Sequence, residues 1–340
     1  MLNISLNRLI YIYLWRFVVI PNSKPEKVSK IIKSWINNNP EALLCQRFLD
    51  DKISFSPIWM KKLEINFLYF LTINNKNTLK SLEKSKIVYK TISITTHRSS
   101  KSDPTENKGI LFIGNIVNWN DSKTEFNTSF SNSSVWKQNS KLLLVKIEIF
   151  KVNYWSGINF GSHSFKRIPK NLFKGFRRKS FLPHWKNGKK VSLEEWKIIN
   201  SSQYLIVATI TEMGAIHATP VDFTVIKNRV VFATSFFSAK FRGFKKSNIL
   251  SGYTYKTTEG FNDYSRSLTF HGSPFAYGWN FLTSIVYGFL FAPYLGFAGL
   301  WMFRKYPQTM RKFPFKQTNI RWQFIPFVAR TFIEIFWQDN

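Results

Sequence analysis

Short apolar runs separated by turn residues follow one another between positions 204 and 250 of the chain. The runs cover residues 205–210, 216–225 and 230–233, and the turn signals between them are Met213-Gly214 and Lys227-Asn228. Consecutive runs rich in β-branched residues and joined by short turns are typical of an antiparallel meander. This part of the chain is therefore predicted to form neighbouring strands of one β-sheet.

A polar segment follows the third of these runs and leads into a basic, helix-like stretch. It contains Thr234-Ser235 and then Ser238-Ala239-Lys240. Hydroxyl and backbone N–H groups at such a strand end can donate hydrogen bonds to a phosphate, and a lysine adds a point charge. The combination favours a β-barrel that holds a phosphorylated cofactor. The alternative is that the hydroxyls only cap the following helix and that Lys240 is one more surface lysine.

The same order of elements occurs a second time, in the N-terminal half. Both copies open with a helix start, at residues 23–26 and at the capping-box pair Ser192 and Glu195. Strand positions then correspond in order: Pro57 with Pro220, Tyr69 with Phe232, residues 111–114 with 269–272, and residues 145–149 with 331–335. The order of the matches predicts a tandem duplication. We expect one copy in residues 1–160, a basic linker in residues 161–190 and the second copy in residues 191–340.

Two segments lie outside this repeat pattern. The basic linker is interpreted either as a solvated connector or as an anion-facing lip over a phosphate or a membrane. Residues 281–303 carry no charged side chain and are long enough to span a bilayer, although Pro293 interrupts them. Three interpretations of this apolar segment stay open: membrane contact, a bent hairpin at a membrane interface, or packing against a partner subunit.

Composition narrows the chemistry. Lysine and arginine number 49 against 19 acidic residues, which favours anionic partners such as an anionic membrane surface or anionic small molecules. Because Lys, Asn, Ile and Phe are all abundant, an AT-rich genome would explain the excess equally well, and nucleic acid is not the expected partner. The single cysteine, Cys45, and five histidines without ligand spacing argue against a zinc site. Any catalytic chemistry is therefore expected to come from an organic cofactor.

The pattern between positions 204 and 250 resembles that of the flavin-binding split-barrel superfamily, the pyridoxamine 5′-phosphate oxidase-like proteins. The residues that carry the resemblance are Ala208-Thr209, Gly214, Thr219-Pro220-Val221, residues 231–234, Ser238-Ala239-Lys240 and Gly272. It covers residues 191–336 and, as a degenerate copy, about residues 24–155.

The resemblance implies a mainly β fold, with two tandem split β-barrels of which the first is degenerate. Each barrel would be a six-stranded antiparallel one, with FMN or a deazaflavin coenzyme bound between two barrels. The residues expected to bind the cofactor are Thr219, Pro220, Val221 and Asp222 along the ring and ribityl chain, and Thr234, Ser235, Ser238 and Lys240 at the phosphate. The family often has cations where this chain has Ala218 and Phe223, and Arg242 or the basic linker is the expected substitute.

The function implied is that of a flavin- or deazaflavin-dependent oxidoreductase acting on a small-molecule substrate. No catalytic side chain is named, because in such enzymes the cofactor carries the hydride chemistry. The alternative is a membrane-associated binding protein that has kept the barrel and lost the cofactor. We expect an internal pseudo-dimer, with a homodimer as an alternative, in the cytoplasm or at a membrane through residues 281–303.

Overall fold

The fold is described from a computed structural model. It describes residues 25–47, 52–98, 108–122, 141–156, 159–166, 192–202, 205–211, 213–221, 223–226, 229–235, 239–244, 250–258, 261–276 and 330–337. Within these ranges the chain forms two antiparallel β-sheets with a few short helices. The mainly β fold predicted from the sequence is therefore confirmed.

The N-terminal half forms a closed six-stranded barrel. Its elements are α1 (Pro25–Asn38), β1 (Glu41–Arg47), β2 (Ile53–Glu64), β3 (Phe67–Ile73), α2 (Lys76–Lys84), a π-helical turn (Ser85–Tyr89), β4 (Ile92–Arg98), β5 (Lys108–Asp121), β6 (Leu142–Ser156) and β7 (Asn159–Ser164). The strands lie in the order β3-β2-β1-β4-β5-β6, and pairing of β3 with β6 closes the ring. Strand β7 adds to the C-terminal part of β6.

Apolar side chains of alternate strand positions fill this barrel. Ile94, Phe112 and Val145 come from three different strands and are fully buried in one cluster. Helix α1 adds Ile32 and Ile36, which lie on one face of the helix because they are four residues apart. This half, which the resemblance implies is the degenerate copy, forms a complete ring.

The C-terminal half forms the second sheet. Its elements are α3 (Leu193–Ser201), β8 (Leu205–Ile210), β9 (Ile216–Val221), β10 (Phe223–Ile226), β11 (Arg229–Ser235), α4 (Ala239–Phe244), β12 (Leu250–Thr258), β13 (Phe261–Ala276) and β14 (Arg330–Trp337). The strand order is β10-β11-β14-β13-β12-β8-β9. The counterparts of β1, β3, β4, β5 and β6 are β8, β11, β12, β13 and β14. The counterpart of β2 is divided into β9 and β10, which are consecutive along the chain. With that division, the strands follow the same cyclic order in both sheets.

Helix α3 begins with the capping box that the sequence predicts. Ser192 Oγ accepts a hydrogen bond from the Glu195 backbone N–H at 3.2 Å, and the Glu195 carboxylate accepts one from the Ser192 N–H at 2.7 Å. Two N–H groups of the first turn, which have no partner within the helix, are satisfied in this way.

Strand registers relate the two halves residue by residue. Cys45 lies opposite Ser93 in the first barrel, and Ala208 lies opposite Ser251 in the second sheet. Two predicted correspondences are shifted. Ile149 lies opposite Gly114 and Trp337 lies opposite Gly272, so residues 145–149 correspond to residues 333–337 and not to residues 331–335. The other correspondence is shifted by one residue. The Tyr69 side chain faces outward, beneath the Lys62 ammonium, whereas Phe232 is buried in the interior, so the counterpart of Phe232 is the buried Phe70.

Residues 167–191, which make up most of the predicted basic linker, and residues 281–303 lie outside the described residues. In the part of the chain that the structure describes, no helix has the length and apolarity needed to cross a membrane.

Candidate functional site

The two halves share an apolar core. Residues of β1, β2 and β5 in the first barrel pack against residues of β8, β9 and β12 in one buried cluster. Leu43 and Phe55 belong to it from one side, and Ile206 and Tyr253 from the other. The outer faces of the two sheets are therefore buried against each other.

Two hydrogen bonds across this contact are related by an approximate two-fold symmetry. Ser93 Oγ donates to the Ile216 carbonyl oxygen, and the Ile53 backbone N–H donates to Ser251 Oγ at 2.8 Å. The registers make Ser93 equivalent to Ser251 and Ile53 equivalent to Ile216. Each bond thus joins the same pair of positions with the two halves exchanged, which is the property of a two-fold interface.

A buried histidine–tyrosine pair marks the axis. The Tyr255 hydroxyl oxygen lies 2.9 Å from His97 Nδ1 and 3.1 Å from Nε2. These residues occupy equivalent positions of β12 and β4, opposite Ser267 and Gly109. Burial lowers the pKa of His97 to about 4, so its imidazole is neutral at pH 7. Sequence reasoning missed the pair because 158 residues separate its members; their matching places in the repeat were the available signal.

A second histidine lies at the same contact. Ser251 Oγ lies 2.9 Å from His271 Nδ1. Ser251 Oγ thus contacts both the Ile53 backbone N–H of the first barrel and the His271 ring. Burial lowers the pKa of His271 to about 4, and the positive charge of Lys52 makes a smaller contribution in the same direction. Both histidines of the interface are therefore uncharged at neutral pH.

The predicted phosphate ligand Lys240 meets a second predicted residue. Lys240 stands at the start of α4, and its ammonium donates a hydrogen bond to Thr219 Oγ1 on β9 at 2.6 Å. The lysine is half-buried, and burial lowers its pKa to about 8. No carboxylate of the described residues pairs with it. The lysine thus presents a poorly solvated cation whose assigned partner is a neutral hydroxyl.

Two further hydroxyls lie on the strands next to this lysine's helix. Thr234 is buried on β11, the strand that precedes α4. Thr209 is fully buried on β8, and its Oγ1 has no hydrogen-bond partner among the described residues. Gly243 of α4 packs against it so closely that a Cβ there would lie 2.7 Å from Oγ1. The helix therefore sits tightly on β8 and leaves a buried hydroxyl unsatisfied.

The corresponding place in the first barrel is built differently. The counterpart of Thr209 is Gln46, whose side-chain amide donates to Ser85 Oγ at 3.0 Å and accepts from Ser81 Oγ at 2.9 Å. The position corresponding to Lys240, counted from the end of the preceding strand, is Thr78. The first barrel therefore satisfies its own polar groups here and has no cation at the position of Lys240.

The other predicted site residues are placed as follows. Pro220 is half-buried on β9 and Val221 is buried beside it. The backbones of Ser235 and Arg242 belong to β11 and α4, and their side chains are outside the description. Asp222 and Ser238 lie outside the described residues. The structure thus brings Thr219 together with Lys240, and the cofactor-binding roles of the whole set stay predictions.

The two positions at which the family often has cations are apolar and buried. Ala218 is fully buried in the core shared by the two halves, and Phe223 is buried among the interior residues of the second sheet. A charged side chain at either place would be desolvated without a partner. Any cation that assists Lys240 must come from another position.

The described part of the chain contains no set of side chains that could hold a metal ion. No group of three or more His, Cys, Asp or Glu side chains lies together there. Cys45 is buried between the two halves, and burial raises the pKa of its thiol, which keeps it protonated and unreactive.

Comparison with known proteins gives matches to solved structures only. No protein-family model matches the chain, and no curated protein sequence is similar to it. A protein of the pyridoxine phosphate oxidase family from Clostridium acetobutylicum, related to general stress protein 26 of B. subtilis, is 10% identical; the match covers 41% of this chain and 96% of that protein, with a TM-score of 0.30. An FAD-binding protein from Mesorhizobium loti is 11% identical over 38% of this chain and 90% of its own, with a TM-score of 0.27.

An F420 reductase is 11% identical over 42% of this chain and 92% of its own, with a TM-score of 0.28. These solved structures are pyridoxamine phosphate oxidase-like split-barrel proteins, the superfamily that the sequence pattern resembles. At such identities and TM-scores the likeness says nothing about what this chain binds. The chain is thus similar to split-barrel proteins, and its function must be argued from its own residues.

Proposed function

We propose that the chain binds FMN, or a deazaflavin coenzyme, beside β9 and α4, and that it is an oxidoreductase acting on a small molecule. The observation that carries the proposal is Lys240, a half-buried ammonium hydrogen-bonded to Thr219 with no carboxylate partner among the described residues. The sequence pattern that resembles split-barrel flavoproteins includes both residues.

Electrostatics explains why such a lysine points to an anion. Removing an ammonium from water without an opposite charge costs several kcal/mol, and the lowered pKa of Lys240 reflects this penalty. A bound phosphate would offset the penalty with a charge-assisted hydrogen bond. The Lys240 ammonium has three donor protons, and the bond to Thr219 uses one of them. The residues present therefore fit a phosphate group.

Each residue then has a physical task. Lys240 would hold the phosphate, with the Thr219 hydroxyl fixing the direction of the ammonium. The bound cofactor would supply hydride transfer, which the described side chains do not provide. The two positions at which the family often has cations, Ala218 and Phe223, are apolar and buried in this chain. Lys240 would therefore be the principal cation for the phosphate among the described residues.

The test is an absorbance scan and an FMN titration of the purified full-length protein. Lys240→Ala should weaken FMN binding by about 1.5–3 kcal/mol, the range for a hydrogen bond to a charged group. Lys80→Ala is the matched control, because Lys80 is an exposed lysine on α2, the helix that occupies the place of α4 in the first barrel. Its dissociation constant should equal that of the parent protein.

Two outcomes would contradict the proposal. A colourless protein that takes up neither FMN nor a deazaflavin at micromolar concentration would leave the cofactor-free binding protein, which the buried apolar Ala218 and Phe223 favour. Equal dissociation constants for the parent and Lys240→Ala would remove Lys240 from the site.

A further inference from the structure

The π-helical turn Ser85–Tyr89 presents an exposed aliphatic pair. Ile87 is 62% exposed and Val88 is 58% exposed, and within the described part of the chain they are the one adjacent pair of large exposed apolar residues. Exposed aliphatic residues that stand singly are ordinary on protein surfaces, whereas contiguous ones mark contact sites.

In this turn a polar side chain is buried and two aliphatic side chains are exposed, which is the reverse of what burial of apolar surface would favour. Ser85 points inward, is 1% exposed and accepts a hydrogen bond from the Gln46 amide at 3.0 Å. Ile87 and Val88 point outward. A π-helical turn often occurs at a functional position, since it holds side chains in places that a regular α-helix would not. Folding therefore does not explain why the outward positions are aliphatic.

Positive charge surrounds the pair. Residues 76–90 contain five lysines and one carboxylate, Glu83. Lys86 directly precedes the pair and Lys90 follows it after Tyr89. Both lysines are exposed, and Lys90 ends the turn with a left-handed backbone, φ 50°. Exposed aliphatic side chains with lysines before and after them in the sequence match an anionic lipid surface, where acyl chains receive the apolar groups and headgroups attract the cations.

Two aromatic rings, one in the turn and one beside it, fit the same environment. The Lys86 ammonium lies 5.4 Å from the ring centroid of the half-buried Trp119, and the Arg47 guanidinium lies 5.3 Å from that of Tyr89. Indole and phenol rings with neighbouring cations are favoured at the level of lipid headgroups. A nucleic acid would offer the aliphatic pair no apolar surface of this kind.

We propose that this turn, through Ile87 and Val88 and the neighbouring Lys86 and Lys90, docks the N-terminal barrel on an anionic membrane surface as a peripheral contact. The contact needs no spanning segment and does not involve Lys240. It is therefore independent of the proposed cofactor and can be tested whether or not FMN binds.

The test is sedimentation of the full chain with vesicles of phosphatidylcholine alone and of phosphatidylcholine mixed equally with phosphatidylserine. We expect binding to the mixed vesicles. The double variant Ile87→Asp with Val88→Asp should lower the partition coefficient at least about tenfold, because it loses apolar insertion and adds charge repulsion. Lys86→Glu should lower it by about fivefold or more, since one cation near an anionic surface contributes about 1 kcal/mol.

Ile65→Asp is the matched control. Ile65 is 83% exposed in the turn between β2 and β3, next to Glu64, so an aspartate is introduced on the same barrel outside the turn that carries Lys86 and Lys90. Its partition coefficient should equal that of the parent, and circular dichroism should show all variants folded. Equal sedimentation of parent and double variant would assign binding to the general basicity of the chain and overturn the proposal. Failure of the parent to bind mixed vesicles, or capture of an acidic protein instead of lipid, would also overturn it.

Discussion

At the scale of single residues, the neutral histidine on the pseudo-two-fold axis makes stability depend on pH. The pKa of His97 is about 4 in the folded protein and near 6.5 when unfolded. The unfolded state therefore binds more protons between these values, and the stabilising contribution present above pH 6.5 is lost as the pH falls toward 4. The loss from His97 reaches about 3 kcal/mol at low pH.

His97→Gln removes the titration and keeps a side chain able to hydrogen-bond the Tyr255 hydroxyl. Chemical denaturation at pH 7 and pH 4.5 should show a smaller difference in the free energy of unfolding for this variant than for the parent. His163→Gln serves as the control, because His163 lies on β7 against the Phe165 ring, away from the axis. A pH difference that is unchanged in His97→Gln would show that the buried imidazole does not govern acid sensitivity.

At the scale of elements, the helix after the third strand is fastened differently in the two halves. In the first barrel, the Gln46 side chain ties β1 to Ser81 of α2 and to Ser85 of the following turn. Gln46→Ala would leave the buried Ser85 hydroxyl without this partner, so we expect a loss of about 1–3 kcal/mol in the free energy of unfolding. Urea denaturation measures it.

The control for this loss is Asn38→Ala, which removes an exposed hydrogen bond to the Ser34 carbonyl at the end of α1. It should change the free energy of unfolding by less than about 0.5 kcal/mol. If both variants lose the same amount, the Gln46 network is no more important than a surface contact.

The elements also show what the sequence could and could not predict. Apolar runs and turn residues predict β8 and β11 closely, whereas the predicted run 216–225 is divided into the two strands β9 and β10. The Ser192 and Glu195 spacing predicts the start of α3. The shift between Tyr69 and Phe70 was missed, since β2 and β3 change register by one residue after Met60, and a bulge has no distinct sequence signal here.

Within the candidate site, the resemblance assigns Thr219 and Lys240 to one cofactor site, and the structure places Lys240 Nζ 2.6 Å from Thr219 Oγ1, a contact that was not predicted. The hydrogen bonds of Gln46 to Ser81 and Ser85 could not be predicted, because these side chains meet only after the strand and the helix pack together. Long-range pairs of this kind are specified by the whole fold and not by local pattern.

At the scale of the whole molecule, the core between the two halves should make them unfold together. Ile206 is fully buried in the cluster that joins β1, β2 and β5 to β8, β9 and β12. Ile206→Asp places an unpaired charge in this contact, which costs more than a surface change because the carboxylate is desolvated. In the parent, tryptophan fluorescence and circular dichroism should report one coincident transition in urea, whereas the variant should show two separated transitions or a markedly lower midpoint.

Ile65→Asp is again the matched control, since it introduces the same charge at a site that is 83% exposed, and it should keep a single transition. The comparison decides whether the pseudo-two-fold contact is a cooperative part of the fold. A parent that unfolds in two steps, or an Ile206→Asp variant that unfolds like the parent, would show that each half is stable by itself. In that case the bonds Ser93–Ile216 and Ser251–Ile53 would join two independent domains, and a ligand held between them would have to supply the coupling.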